Sequence, residues 1–507
     1  MTDFSFNVLA EAWVPVARSD GVVTELGVLS CLEQAHELVE IKDPCPIVEF
    51  GLYRLLVAFV LDALILADRR PRDRYDLEEL LDEGSFDPHL FHEYVQACGN
   101  VFDLFDAERP FLQMVMSPAD RPKPLAGLFP VIPSGIGAIH WHHYPEDAWE
   151  VSPAEAARLL TTIAPFMTAG GQGMSPSING APGVYVLPVG RNLYETLVLN
   201  LPLREGQEGG DGAVAWRNKS APGQERTEAT TVEALTWRPR RIQLLPTAGA
   251  DASRESAVRV GRMRFAKGDS TRFRWIDANL AYQYEGARVT PVRMRENRSL
   301  WRDAGAFFLL NDLQHGRDNA RVLFKRPDVI ENAFALDRHD LPSRVQLYAM
   351  RTDMNMKVFE WQKAVWAVPP ALGRSTRLGA IVVQELERAE KAAWALRVSI
   401  KALFPREGPG AREALAGIAD RCERAYWQAM ESRFASLLRY VAALDPDAPD
   451  DPEVVTKATS EWREAISDVA TEQFEFAAKD MDSDGDALER LVKARGRLMA
   501  NLRRALS

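Results

Sequence analysis

The feature that most constrains this chain is a change of texture near Gly373. Upstream, short mixed segments alternate with turns rich in Gly and Pro; downstream, Gly and Pro retreat to junctions and helical periodicity takes over. Four long helices are expected in that tail. The first runs from about Thr376 to Leu403 and is stopped by Pro405, Gly408 and Pro409; the second runs from about Ala411 to Leu444 and ends at DPDAPDD. The third starts at Pro452, a good first-turn proline, and reaches about Met481; the fourth follows Ser483 and reaches Leu506. Leu437, Leu438, Val441 and Leu444 carry the three-and-four spacing of a buried stripe. Helices of this length joined by short connections predict an antiparallel four-helix bundle over residues 373–507.

Residues 1–372 read as a mixed α/β domain, so the whole is of the α+β class. A chain of 507 residues exceeds what one core organises, which agrees with at least two domains. Phe6–Val16 alternates like a strand and turns at Ser19–Gly21, Ile47–Ala67 is a strongly apolar helix, and Asp76–Cys98 holds one or two more helices. Val184–Leu201 reads as two strand-like runs split by Gly190; Glu233–Leu245 and Arg272–Met294 also carry strand character. No nucleotide-binding strand–loop–helix unit and no fixed-period repeat is present.

The balance of 46% apolar and 26% charged residues is that of a folded soluble protein. Val57–Ala67 is the most apolar run, but it contains Asp62 and is too short to span a bilayer; the first residues lack the order of a secretion signal, so a cytoplasmic location and no membrane partner are expected. Cys31, Cys45, Cys98 and Cys422 are scattered without metal-ligand spacing, which predicts buried reduced thiols. A net charge of −11 argues against a free-standing nucleic-acid binder and leaves room for one local basic surface.

Four segments can carry function. Ala169–Gly183 is a glycine loop whose backbone can come close to another molecule, although it lacks the ending of a phosphate loop; a plain surface loop is the alternative. His140, Trp141, His142 and His143 offer two histidines two residues apart, but no ligand at standard spacing completes a metal site, and Trp141 suits stacking on a base as well as packing. Arg238–Arg302 holds fifteen Lys or Arg against six acids with aromatics interleaved; Arg262, Arg264, Arg272 and Arg274 alternate as if on one face of adjacent strands. Such a face fits a nucleic-acid backbone, a solvated sheet or a protein contact. Met350–Trp361 reads as a protruding turn whose tip can insert between base pairs, or as an ordinary turn. No hydrolase, kinase, deaminase or zinc-protease signature occurs, and no cofactor or metal is implied.

Taken in order, FNVLAEAWVPV (Phe6–Val16), NVFDLFDAERPFLQ (Asn100–Gln113), LVLNLPL (Leu197–Leu203), TWRPRRIQL (Thr236–Leu244) and the helical tail resemble the CasA family, the large subunit of type I-E CRISPR surveillance complexes (Cascade). The resemblance implies a non-catalytic DNA-recognition subunit. Its partners would be the small, backbone and guide-handle-binding subunits, CRISPR RNA, double-stranded target DNA and a helicase–nuclease. It places Ile139, His140 and Trp141 against the handle of the guide RNA. Gly170, Gly171 and Gly173 would lie in the minor groove of the motif flanking the target, and Asp353, Met354 and Asn355 at a wedge beneath it. Arg262, Arg264, Arg272, Arg274, Arg288 and Lys357 are the candidate contacts to the DNA backbone. The chain departs from relatives that carry glutamine at the wedge, a lysine finger (here only Gln283, Tyr284 and Arg288 are near) or a cysteine set. A metal-dependent enzyme built on His140–His143 and a scaffold that binds only protein are the competing readings.

Overall fold

A computed structural model describes residues 4–128, 149–169, 173–203, 211–248, 258–309, 313–315, 322–338, 340–352, 358–404, 411–449, 451–479 and 484–507. The chain forms two compact units: Met1–Arg295 with Pro327–Val365, and Glu296–Arg326 with Trp366–Ser507. The second unit therefore includes Glu296–Arg326, which the sequence reading groups with the N-terminal region.

The first unit is built around the helix Pro46–Leu66, buried on every side from Ile47 to Leu64. A helix apolar all round reads as a core element, and its three charged residues are each compensated. Glu49 accepts from Tyr348 Oη at 2.6 Å and from Lys363; Arg54 pairs with Asp277 at 2.8 Å; Asp62 meets Arg217 at 2.7 Å and Tyr94 Oη at 2.6 Å. No described helix is long and apolar enough to cross a membrane. Around the central helix lie three small antiparallel sheets. Val14–Arg18 runs between Val23–Leu26 and Leu38–Ile41; Arg344–Thr352 runs between Val358–Trp366 and Tyr185–Val189; Val258–Lys267 runs between Lys123–Pro124 and Arg240–Ala248. In the last pair the register shifts at Leu245/Pro246, where proline has no N–H to donate. A hairpin, Tyr282–Glu285 with Arg288–Pro291, turns on two residues, with Gly286 at φ 60°.

The apolar helix and the pair Arg74–Glu83 and Pro88–Cys98 form where their periodicity predicts. Three expectations need correction. Strand structure begins only at Val14; before it, Asn7 makes a single bridge to Asp103. The second run of Val184–Leu201 is a helix, Leu193–Leu199, capped by Asn192 Oδ1 on the Glu195 N–H at 2.9 Å. All seven of its residues are buried, so no amphipathic period marks it. Glu233 opens no strand: it belongs to the helix Thr231–Leu235 and accepts from the Thr230 N–H at 2.9 Å, a capping arrangement legible as T-x-x-E.

In the second unit the four tail helices are Thr376–Leu403, Ala411–Ala442, Pro452–Ala478 and Gly485–Leu506. Ser375, Asp451 and Asp484 cap three of them. Leu437, Leu438 and Val441 are buried as their spacing predicts, and Leu444 is half-buried. Trp301, delivered by the excursion 296–326, packs against Phe434 at 5.2 Å, Trp427 at 5.7 Å and Trp462 at 6.2 Å between ring centroids. Arg302 lies 3.6 Å above the Trp427 ring. This aromatic knot is the physical reason that 296–326 belongs with the helices.

Candidate nucleic-acid interface

The best-defined feature among the segments singled out by sequence is the glycine loop, because its two stems are tied together. The Ser177 N–H donates to Met167 O at 2.7 Å, closing the loop at its neck. Above that bond, Arg240 Nη2 donates to Thr168 O at 2.7 Å while its Nη1 reaches Ser175 O, so one guanidinium holds both sides. Nη1 also meets Pro239 O at 2.8 Å, and the Phe265 ring lies 5.6 Å from Cζ. Arg240 is 3% exposed and its acceptors among the described residues are neutral; burial draws its guanidinium down to about 10, still a cation at neutral pH.

The exit of the loop is equally anchored. Ile178 is buried with Ala234 and Trp237, and Phe273 and Trp275 pack against that small core. Asn179 Nδ2 donates to Asp277 Oδ2 at 2.9 Å, the carboxylate that also pairs with buried Arg54. The Asp277 N–H donates to Tyr282 Oη at 2.7 Å, joining the loop to the hairpin. Gly173 and Gly180 have φ of 78° and 76°, a region that favours glycine. At Gly183 a Cβ would lie 2.9 Å from Leu280 Cδ2 and 3.1 Å from Pro291 Cβ, so the hairpin packs directly on the backbone there.

One arginine stands beside this exit, with a second next to it. A Cβ at Gly180 would lie 4.0 Å from Arg293 Nη2, and Arg288 opens the adjoining strand. Burial first, and then the neighbouring Arg288, hold the Arg293 guanidinium below its ordinary value. Neither has a carboxylate partner among the described residues. Among the described residues the place therefore has anchored loop stems, glycines at positive φ and two arginines without an ion pair, although Glu285 lies opposite Arg288 on the hairpin; such features suit an anionic backbone.

The other predicted residues are dispersed. Arg262 and Arg264 do share the strand Val258–Lys267, but its partner is Arg240–Ala248, not the segment holding Arg272 and Arg274. Arg272 follows the two-residue strand Ser270–Thr271, which pairs in parallel with Glu225–Arg226, so the expected single face of four arginines does not exist. Arg272 pairs with Glu225 at 2.6 Å; Arg264 donates to Asp120 O at 3.1 Å and Gln243 Oε1 at 3.2 Å. Arg262 and Arg274 are exposed, the latter at the rim of a cleft of about 680 Å³ that Arg72 and Arg74 also line. Of the interleaved aromatics, Tyr282 and Trp301 are buried. Ile139, His140, Trp141, Gly170, Gly171, Asp353, Met354, Asn355 and Lys357 lie outside the described residues, as do His142 and His143. Among the described residues no group of three His, Cys, Asp or Glu is placed to hold a metal ion. Burial pushes the Cys31 thiol up to about 12 and that of Cys98 to about 11, which keeps both protonated.

Sequence reasoning missed Arg240, Asn179, Asp277 and Arg293. A signal for the first was present: Arg240 is in phase with Ile242 and Leu244, the buried face of its strand.

The family model for the CRISPR-associated protein Cse1 matches residues 7–473. The chain belongs to that family. It is 26% identical to the CRISPR-associated protein CasA/Cse1 of Thermus thermophilus, with 98% of each chain covered. The fold is that of the solved Cse1 of Acidimicrobium ferrooxidans, at a TM-score of 0.77 and 23% identity over 100% of this chain and 99% of that one. It is likewise that of a chain in a CRISPR RNA-guided surveillance complex, at 0.72 and 20% identity over 98% and 100%. Membership fixes the architecture in which the glycine loop of this Cse1-family chain has to be read.

Proposed function

We propose that this chain is the non-catalytic large subunit of a cytoplasmic CRISPR RNA-guided complex that surveys double-stranded DNA. The glycine loop takes the minor groove of the short motif flanking the target, by backbone contacts that tolerate several sequences. Arg288, Lys357 and the exposed Arg262 and Arg274 meet phosphates, and Asp353, Met354 and Asn355 form the tip that wedges beneath the motif. Opening the first base-pair step costs on the order of 1–2 kcal/mol of stacking, which the wedge offsets until RNA pairing takes over. Ile139, His140 and Trp141 contact the guide-RNA handle. The helical bundle packs on the small subunits, and the N-terminal domain offers a dock to a helicase–nuclease. No bond chemistry is required; binding energy is used to distort a duplex.

The observation that supports this reading most is the tied pair of loop stems, with Gly173 at positive φ and Arg293 beside the exit at Gly180 without an ion pair among the described residues. The test is binding of the assembled complex to duplexes that carry or lack the flanking motif. Gly173→Ala forces a side chain into left-handed backbone at about 1–2 kcal/mol. Affinity for the matched duplex is therefore expected to fall about five- to thirtyfold, with little change for unmatched DNA. Met354→Ala with Asn355→Ala is expected to slow strand opening, followed by a fluorescent base, more than it weakens first binding. Equal binding of matched and unmatched duplexes by the unaltered complex refutes the reading.

A further inference from the structure

We propose that this chain holds a small monovalent anion, of the size of chloride, in a buried cavity beside the central helix. Arg54, Trp237 and Arg240 line that cavity, and each has an N–H group that no atom of the described residues accepts. The site goes beyond the function proposed above and does not depend on it.

The cavity has a volume of about 40 Å³. Its walls are the central helix at Gly51 and Arg54, the turn at Thr161 and Ile163, and the stretch that runs from Leu235 to Ile242. All of these belong to the first compact unit. About 10–15 Å³ of such space admits one water-sized particle, so the cavity takes a small ion and excludes a phosphate chain or a nucleotide. The walls are close-packed: a Cβ at Gly51 would lie 2.5 Å from Thr161 Oγ1, so the helix backbone itself rests on Thr161 there.

The donors around this space are buried, at 4% exposure for Arg54 and 3% for Trp237 and Arg240. Arg54 gives Nε to Leu235 O at 3.1 Å and Nη2 to Ala234 O at 3.2 Å and to Asp277, which leaves Nη1. Arg240 gives Nη1 to Ser175 O and Pro239 O and Nη2 to Thr168 O, which leaves Nε. The Trp237 ring packs edge-on against Phe273 at 6.5 Å, and its Nε1 is left over too. A buried donor without an acceptor is costly and uncommon in a native fold, and three around one cavity have a common remedy.

The sign of the charge selects that remedy. Every unmet group here is a donor, and two of them belong to cations. Among the described residues no Asp or Glu lines the cavity; Asp277, which balances Arg54, lines the larger cleft instead. Arg238 lines the cavity as well, and the acids that act on it, Asp269 and Glu233, do not. A water molecule must place its own two protons on acceptors, whereas an anion accepts from all three donors and supplies the negative charge that Arg240 lacks.

The decisive experiment soaks crystals of the full chain in bromide, whose anomalous scattering marks an anion and not a water. The expected result is a peak in the cavity within hydrogen-bonding distance of Arg54, Trp237 and Arg240. Water density there without an anomalous signal overturns the proposal. Binding in solution is read from the melting temperature in chloride against gluconate, an anion too large for the cavity, at matched ionic strength. With chloride at about a hundredfold over its dissociation constant, a saturating rise of about 4 °C over gluconate is expected. Trp237→Phe keeps a ring and removes one N–H, and is expected to raise the half-saturating chloride concentration about tenfold. Arg240→Gln is expected to abolish the difference between the two salts. The readout compares two salts in one variant, so a general loss of stability does not move it. Should Arg240→Gln fail to fold, Trp237→Phe decides, and an unchanged chloride response in that variant overturns the proposal. A bromide peak with no effect of chloride on melting up to about 0.15 M marks an adventitious ion only and overturns it as well.

Discussion

Arginines beside the glycine loop are met differently from those of the helical unit. In the helical unit carboxylates gather them in pairs: fully buried Glu385 receives Arg388 at 2.8 Å and Arg463 at 2.7 Å, while Glu390 takes Arg298 at 2.7 Å and Arg302 at 2.8 Å. Beside the glycine loop, among the described residues, Arg54 has its acid, Arg240 donates to carbonyls alone, and the exposed Arg288 and Arg293 form no ion pair, although Glu285 lies opposite Arg288 on the hairpin. Matched guanidiniums complete their electrostatics inside the fold and act as structural pins. Unmatched ones leave positive potential for an anion that is not part of the chain. The difference separates two kinds of basic sequence that look alike on paper, since Arg298 and Arg302 belong to the same arginine-rich stretch as Arg240 and Arg288.

The comparison is broken most severely by removing an acid from the matched set. Glu385→Ala leaves Arg388 and Arg463 without their carboxylate at a position with no exposure, and the loss of one partner of a buried pair costs about 3–5 kcal/mol. Denaturant unfolding is expected to show that loss in the transition of the helical unit, while the matched-to-unmatched DNA ratio of the complexes that still assemble stays unchanged. A lowered ratio with intact stability would merge the two classes of arginine.

The unmatched set is probed by Arg288→Ala with Arg293→Ala. Each phosphate contact contributes about 0.9 to the slope of log affinity against log salt. The double change is expected to flatten the slope by about 1.8 across all duplex sequences and to leave the melting temperature in place. A preserved slope would show that these cations face no nucleic acid.

Much of the fold was legible because its signals are local. Four tail helices, their prolines and their buried Leu437, Leu438 and Val441 follow from period and punctuation. The central helix was legible from its unbroken apolar run. The helix Leu193–Leu199 was not, since complete burial erases the period that distinguishes helix from strand. The allegiance of Trp301 was not either, because an aromatic residue in sequence does not say which core it enters, and here it stacks against Trp427, Phe434 and Trp462. For the candidate site, the glycine loop was picked out by composition and Arg288 by the family resemblance. Its anchor was hidden: nothing local tells the buried Arg240 from the half-buried Arg241 except the alternation with Ile242 and Leu244.

The finest distinction is between Arg272 and Arg274, two residues apart and alike in sequence. Arg272 is 69% exposed and already pairs with Glu225 at 2.6 Å, so its charge is met by a neighbour, though weakly in water. Arg274 is exposed at the cleft, which Arg72 and Arg74 line together with Asp73, Asp277, Asp328 and Glu331, and it has no ion-pair partner among the described residues. Arg272→Ala therefore removes a cation and frees an acid in one step, and its effect on DNA comes through the exposed Glu225. Arg274→Ala removes a cation and frees no acid among the described residues. At low salt, Arg274→Ala is expected to weaken DNA binding by the complex about two- to threefold, and Arg272→Ala by less. Restoring neutrality with Glu225→Gln in the Arg272→Ala background should return affinity to the unaltered level. If the Arg272 change proves the larger and Glu225→Gln does not reverse it, then Arg272 leaves its acid for a phosphate when DNA arrives, and exposure rather than pairing is what marks the arginines that meet the duplex.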